Sequence, residues 1–247
     1  MLLSERPPPI PGATVVPLRD GPGGLEVLLV RRAATIAYGG MWAFPGGRVD
    51  PADAGPDGAD TTGGPDDGDG DEAPVVAAAR RAAVREAREE VGLAFAPGDL
   101  VAYSHWTGGA NQARLYAAWY FLAPAPAGAV VLDGRETVDH RWIGPAAAVA
   151  ARDAGEVDVV APTWMTLHSL AGVDSVAGAL ALARSRPPVV YLSRLVVRPD
   201  ADARGRRIVL WHGDAGYAAG DPDRPGARHR LVMADDGWTF ERSPGPA

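Results

Sequence analysis

The chain has 247 residues, enough for one large domain or two small ones, and its 47% apolar and 22% charged content is ordinary for a globular protein. A net charge of −7 argues against a nucleic-acid backbone or an anionic membrane as the main partner. The sequence has neither cysteine nor lysine, which excludes disulfides, thiolate nucleophiles, zinc–thiolate sites, Schiff-base lysines and a P-loop lysine.

In chain order, residues 1–11 are proline-rich and read as an extended arm. They lack the apolar run of a signal peptide, and no stretch is apolar for long enough to span a bilayer, so a cytoplasmic protein is expected. Residues 13–18 and 25–31 read as strands, joined by a turn that carries Asp20-Gly21. After a connection at 33–40 comes Met41-Trp42-Ala43-Phe44-Pro45-Gly46-Gly47-Arg48-Val49, an apolar strand broken by proline and two glycines. Such glycines let a ligand approach the backbone closely; taken alone they also read as a tight turn.

Residues 51–74 differ in kind: they are Gly, Asp, Pro and Thr with almost nothing apolar, too little to offset the entropy of ordering. A mobile acidic insertion is expected there. Asp67, Asp69 and Asp71 alternate as in a calcium loop, but the glycine and the closing glutamate of such a loop stand at the wrong offsets.

The next segment predicts a helix over 75–91, with Pro74 at its start and Gly92 as its C-terminal cap. Val76, Val84, Ala87 and Val91 form an apolar stripe, and the glutamates are expected on the opposite side. Glu86, Glu89 and Glu90 fall within two turns, where residues three and four apart share a face. Carboxylates crowded in this way repel unless water or a cation relieves them, and hard divalent cations take oxygen ligands shared with substrate phosphates. In isolation the same three residues read as a solvated acidic face.

Residues 100–105 and 114–122 read as strands around a glycine-rich loop, with Tyr116, Trp119 and Tyr120 as aromatics that read first as core packing and second as a base-stacking surface. Arg114 offers a fork of donors suited to phosphate. Residues 130–143 carry Glu136, Asp139 and His140 ahead of Arg141-Trp142. Residues 145–152 and 162–184 are alanine-rich and helical, the second run divided near 172–175. From Pro187 the pattern turns to strands at 189–197, 207–211, 229–233 and 237–240, with a hairpin turn at Asp235-Asp236-Gly237. The chain therefore divides into a first domain, 1–186, and a β-rich extension, 187–247, packed on it and offering a homodimer surface. His212 and Asp214 form a candidate second metal pair.

Gly46-Gly47 followed by Arg85-Glu86-Ala87-Arg88-Glu89-Glu90-Val91-Gly92-Leu93 resembles the Nudix box, G-x5-E-x7-R-E-U-x-E-E-x-G-U with U a bulky apolar residue. The second half matches closely, with Ala87 at an apolar position. The first glutamate does not: counted back from Arg85 it falls on Ala77, counted forward from Gly47 on Asp53. Asp53, Glu72 or no residue fills it. A branch with an insertion inside its box, the organellar coenzyme A diphosphatases of the androgen-regulated kidney protein type, is similar further afield. Residues 28–33 with 40–47 partly match its coenzyme A signature, although Ile36 stands where an arginine is expected. Ala161-Pro162-Thr163-Trp164 and Trp211-His212-Gly213-Asp214 also resemble that branch.

The resemblance implies a Nudix-type α/β/α sandwich with a mixed sheet, carrying the β-rich extension. It implies a Mg²⁺- or Mn²⁺-dependent hydrolase of a small-molecule diphosphate, a nucleoside diphosphate derivative. Glu86 and Glu90 would be the principal metal ligands, Glu89 a third, and the Gly47 region would add a backbone carbonyl. Arg85 would hold the carboxylates by charge pairing. Glu136, six residues before Trp142, would complete the metal site or act as base, and Arg32, Phe44 and Arg114 would contact substrate. The alternative is a Nudix-fold module that binds a nucleotide or a partner without turnover. An isomerase on this scaffold would need a different catalytic Cys or Glu, and the lack of Cys counts against it.

Overall fold

Alternating burial along two long strands sets the architecture. The computed structural model describes residues 8–55, 73–108, 115–198 and 206–244. Strand β1 (Ile10–Gly21) sends Val16 and Leu18 into one apolar cluster and Ala13 and Val15 into another; β2 (Gly24–Arg32) divides Leu25, Val27 and Leu29 from Leu28 and Val30 in the same way. Successive side chains of a strand point to opposite faces, so strands apolar on both need a cover on each.

The sheet they begin is mixed. Strands β3 (Trp42–Ala43), β4 (Gly46–Arg48), β5 (Val101–Thr107), β6 (Tyr116–Pro124), β7 (Thr137–Ile143) and β8 (Val189–Leu192) complete it in the order β3-β2-β1-β6-β5-β8, with β4 on β1 and β7 on β2. β1 runs antiparallel to β2 and β4 but parallel to β6. Helix α1 (Pro74–Val91) covers one face. Helices α2 (Pro145–Asp153), α3 (Ala161–Leu170) and α4 (Val176–Arg184) cover the other, giving the expected α/β/α layering. The expected break near 172–175 is present, and Ser175 caps α4 by accepting from the Gly178 N–H.

Two expectations are corrected. The apolar run at 189–197 is two strands, not one: Ser193 leaves the strand, its N–H donating to Thr107 O at 3.0 Å and its hydroxyl accepting from Trp211 Nε1 at 3.1 Å. β8 pairs in parallel with β5 and so extends the first sheet; the second sheet starts only at β9 (Arg194–Arg198). That sheet is antiparallel, β12-β11-β10-β9, with β10 (Arg206–Leu210), β11 (His229–Ala234) and β12 (Gly237–Arg242). Its Val209, Trp211, Leu231 and Trp238 enter the same core as Trp106 and Trp164. Among the described residues, no helix is long and apolar enough to cross a membrane.

The second correction concerns Asp214. Its carboxylate is fully occupied: Arg230 donates from Nε and Nη2 at 2.7 and 2.6 Å, and the backbone N–H groups of His229 and Gly216 donate at 2.9 and 2.8 Å. Burial alone would raise its pKa, but these four donors together hold it below the usual carboxylate value. Asp214 is therefore the anchor of the tail's long loop and has no lone pair to spare for a metal with His212. The calcium-like aspartates at 67–71 lie outside the described residues.

Removing one member of a buried, hydrogen-bonded ion pair leaves the other charge uncompensated. Asp214→Ala is expected to lower unfolding stability by about 3–5 kcal/mol in urea melts, while divalent-metal binding stays as in the wild type. A loss below about 1 kcal/mol would contradict the anchor role.

Candidate active site

Helix α1 brings the acidic residues to the sheet. Pro74 opens it, where a missing N–H costs nothing. Gly92 closes it at φ 71°, with its N–H on the carbonyls of Ala87 and Arg88. Its buried stripe is mostly alanine: Ala78, Ala79, Ala82, Ala83 and Ala87 are all within 1% of full burial. Small side chains let the helix lie close to the sheet. Glu90 follows Ala83 and Ala87 at seven and three residues, on that same stripe, and is only 3% exposed. The expectation that all three glutamates face away from the core therefore fails for Glu90: Val76, Ala87 and Val91 are buried as expected, but the alanines widen the buried face until it takes in Glu90.

Glu90 is half-satisfied. Its Oε2 accepts from the Gly46 N–H at 3.0 Å, while its buried Oε1 has no hydrogen-bond partner. Burial pushes its pKa to about 8, against the opposing Gly46 N–H; the negative charges of Glu86 and Glu136 push the same way and Arg32 opposes. The Glu86 carboxylate lies so close to Gly47 that any side chain at residue 47 would overlap it. Burial raises Glu86 as well, with Arg85 pulling down and Glu89 and Glu136 adding repulsion. Glu89 is exposed.

Arg85 ties these parts together. Its Nε and Nη2 reach the two Asp53 oxygens at 3.2 and 2.8 Å, Nη2 also reaches Arg48 O at 2.9 Å, and Nη1 donates to Glu86 Oε1 at 2.9 Å, with Glu89 Oε2 at 3.5 Å. The bonds to Asp53 lead the effects that hold Arg85 charged at every accessible pH. Asp53 sits in a short 3-10 turn, is 6% exposed and accepts from the Asp50 N–H at 2.9 Å. Arg81 fixes the same turn through the carbonyls of Asp53 and Ala54. Asp53 is thus the acidic group paired with the box arginine, while Ala77 lies within α1 and Glu72 lies outside the described residues.

Glu136 reaches the same cleft from the segment before β7 and is exposed. Asp133, which the sequence reading passed over, organises that segment. It accepts from the N–H groups of Arg135, Glu136 and Thr137 at 3.2, 3.0 and 2.9 Å, and from the Thr137 hydroxyl at 2.8 Å. The signal was present as Asp133-Gly134 with Thr137 beyond, a side chain set to close a turn over its own backbone. Thr137 Oγ1 also contacts Glu90 O at 2.9 Å, so the Glu136 segment is fastened to the end of α1.

The cleft has a volume of about 560 Å³. Glu86, Glu89 and Glu136 mark its acidic end; Phe44, Tyr116 and Tyr120 line it elsewhere. Arg32 lines it too, its Nε donating to Ala37 O at 3.0 Å. Phe44 is only 3% exposed and packs edge-on to Tyr120, so it forms a floor. Arg114 lies outside the described residues. Among the described residues no three acid or imidazole groups already stand closed around one point as a metal cage. The donors nonetheless suit a hard divalent cation: they are all oxygens, they repel one another, and one buried oxygen lacks a partner.

The raised pKa has a sign that can be tested. Between about pH 4.5 and 8 the folded protein holds a proton on Glu90 that the unfolded chain releases, so metal-free stability falls as pH rises through that window. A cation that bound through Glu90 would have to displace that proton. Calorimetric titration with Mn²⁺ at pH 6–7 is expected to show about one proton released per ion and an affinity rising up to about tenfold per pH unit until near pH 8. Affinity independent of pH over this range would contradict the placement of Glu90 in the cation site.

Comparison with known proteins follows this geometry. The NUDIX domain model matches residues 8–171. No curated protein matches the chain. A NUDIX hydrolase from Alicyclobacillus acidocaldarius is 25% identical, with a TM-score of 0.59, covering 70% of this chain and 96% of that one. A MutT protein from Methanosarcina mazei Go1 is 20% identical with a TM-score of 0.45, over 67% and 97% of the two chains. A C. elegans Ap4A hydrolase is 21% identical with a TM-score of 0.42, over 65% and 94%. The matched model spans well over half of the chain and takes in both the Gly46-Gly47 turn and the glutamate-bearing helix: the protein belongs to the Nudix family, whose members cleave nucleoside diphosphate derivatives.

Proposed function

We propose that the protein is a divalent-metal-dependent hydrolase of a diphosphate linkage in a nucleoside diphosphate derivative: a coenzyme A-like molecule, a dinucleotide or a nucleotide sugar. The observation that carries this reading is Glu90, buried beside Gly46 with one oxygen unpartnered and Glu86 alongside. A folded chain tolerates such a group where another ligand completes it. Mg²⁺ or Mn²⁺ bound there would neutralise the diphosphate, make phosphorus more electrophilic and acidify a water.

The chain's own residues take the other roles. Glu86 and Glu90 serve as principal ligands and Glu89, exposed at the cleft, as an outer one. Arg85 is committed to Asp53, Arg48 O and Glu86, so it positions carboxylates and leaves substrate to others. Glu136, exposed at the acidic end of the cleft and anchored by Asp133, takes a proton from the attacking water. Arg32 meets a phosphate oxygen. Survival of all three box glutamates favours turnover over mere binding. The insertion within the box and the partial likeness of 28–33 and 40–47 keep a coenzyme A-like diphosphate among the candidates.

The test is a panel of diphosphates with Mg²⁺ and Mn²⁺, products identified by mass. Cleavage into two phosphate-bearing fragments is expected, with the rate rising from pH 6 to about 9. Glu90→Gln is expected to lower kcat by about 10²–10³-fold. Glu136→Gln is expected to lower it about 10²-fold and to flatten the pH dependence. Cleavage of none of the panel would overturn the hydrolase reading in favour of a non-catalytic nucleotide-binding module.

A further inference from the structure

A second cavity, about 480 Å³, lies between the main sheet and the C-terminal sheet. Trp106, Tyr116 and Tyr120 wall it from β5 and β6; Leu195, Met233 and Trp238 wall it from β9, β11 and β12. It shares Tyr38, Met41, Tyr116, Ala118, Tyr120 and Val160 with the acidic cleft, so the two spaces join. Tyr38 stands at the junction. It is 52% exposed and is held at φ 58°, a backbone region that a non-glycine residue seldom adopts and that clusters at ligand sites.

The chemistry of the two spaces differs. Carboxylates gather at the end of the first. The second is aromatic and aliphatic, with its charged groups, Asp158 and Arg207, exposed. Among the described residues it lacks the cluster of donors that a phosphate would need. Its size is that of a small-ligand pocket lined by apolar side chains with a few polar groups, here including Thr107. Aromatic walls favour a flat ring, which packs face-on or edge-on against them, over a flexible chain.

We propose that this cavity is the specificity subsite of the enzyme: it takes an uncharged, planar aromatic ring carried by the diphosphate substrate, with the C-terminal sheet as its outer wall. The proposal rests on the hydrolase reading for the place of the diphosphate, but ring binding can be measured without turnover. It also gives the extension a role: closure of the cleft beyond the family's own fold, with Leu195, Met233 and Trp238 as the residues that choose the substrate.

The experiment has a binding arm and a kinetic arm on the full chain. In saturation-transfer NMR, adenosine, guanosine, cytidine and uridine are offered singly, with 1-octanol as an alkyl probe. At least one nucleoside is expected to receive transfer at its ring protons, and Leu195→Trp and Met233→Trp, which fill the cavity, are each expected to weaken that binding about tenfold. In protein labelled with 5-fluorotryptophan, the same nucleoside is expected to shift the Trp106 and Trp238 resonances, assigned by Trp→Phe exchange, whether or not the filled variants fold. In the kinetic arm, KM for the nucleoside-bearing diphosphate is expected to rise about tenfold in the filled variants, while turnover of P1,P2-dimethyl diphosphate stays within about twofold of wild type. No ring transfer, transfer to octanol alone, shifts confined to other tryptophans, or equal loss on both diphosphates would overturn the subsite. Nucleoside binding at Trp106 and Trp238 with no diphosphate cleaved would leave the subsite standing and remove the hydrolase reading.

Discussion

The site depends on one guanidinium. Arg85 reaches a carboxylate from the 3-10 turn, a backbone oxygen from β4 and a carboxylate from its own helix. The turn and β4 lie far from the helix in sequence, yet a single planar fork of donors fixes all three in register. No lysine could do this, because a point charge on a flexible stem cannot meet partners in several directions at fixed angles. The Asp53 carboxylate is almost wholly buried against Arg85, so Asp53 without that arginine would be an uncompensated buried charge.

Once the helix is held against β4, the placement of Glu90 follows from packing. The alanine stripe allows close approach, and the same stripe carries Glu90 under Gly46. Ionising Glu90 there costs on the order of 5 kcal/mol more than ionising a free glutamate. In a domain whose whole stability is about 5–15 kcal/mol, such a group is a large strain to retain. A cation bound there would favour the ionised form that burial disfavours. The second sheet acts at a different level. Among the described residues it adds no charge to the acidic end, but it shares a core with α3 and supplies a wall to the apolar space that opens from the cleft.

Much of this was legible in the residues. The 3.6-residue period, Pro74 and Gly92 mark α1 within a residue, because caps act locally. The paired glycines at 46–47 signalled a close approach, and a carboxylate does lie where a side chain would stand. What stayed hidden was non-local. Counting along the chain could not reveal the pairing of Asp53 with Arg85, since the insertion breaks the count and the contact spans 32 residues. Burial of Glu90 was masked because the stripe left out the alanines that widen it, Ala78, Ala79, Ala82 and Ala83. The isolated look of His212 and Asp214 suggested a metal pair because Arg230, the partner of Asp214, lies 16 residues on. Strand β8 reads like the rest of the tail, and only its pairing with β5 assigns it to the first sheet.

The central claim is that the glutamates of α1 hold a divalent cation against the Gly46-Gly47 turn. Anomalous diffraction from a crystal of the protein soaked in Mn²⁺ tests it most directly. The account predicts a manganese peak coordinated by the carboxylates of Glu86 and Glu90, beside Gly47. A map at saturating Mn²⁺ with no peak there, or with its strongest peak on other residues, would contradict it.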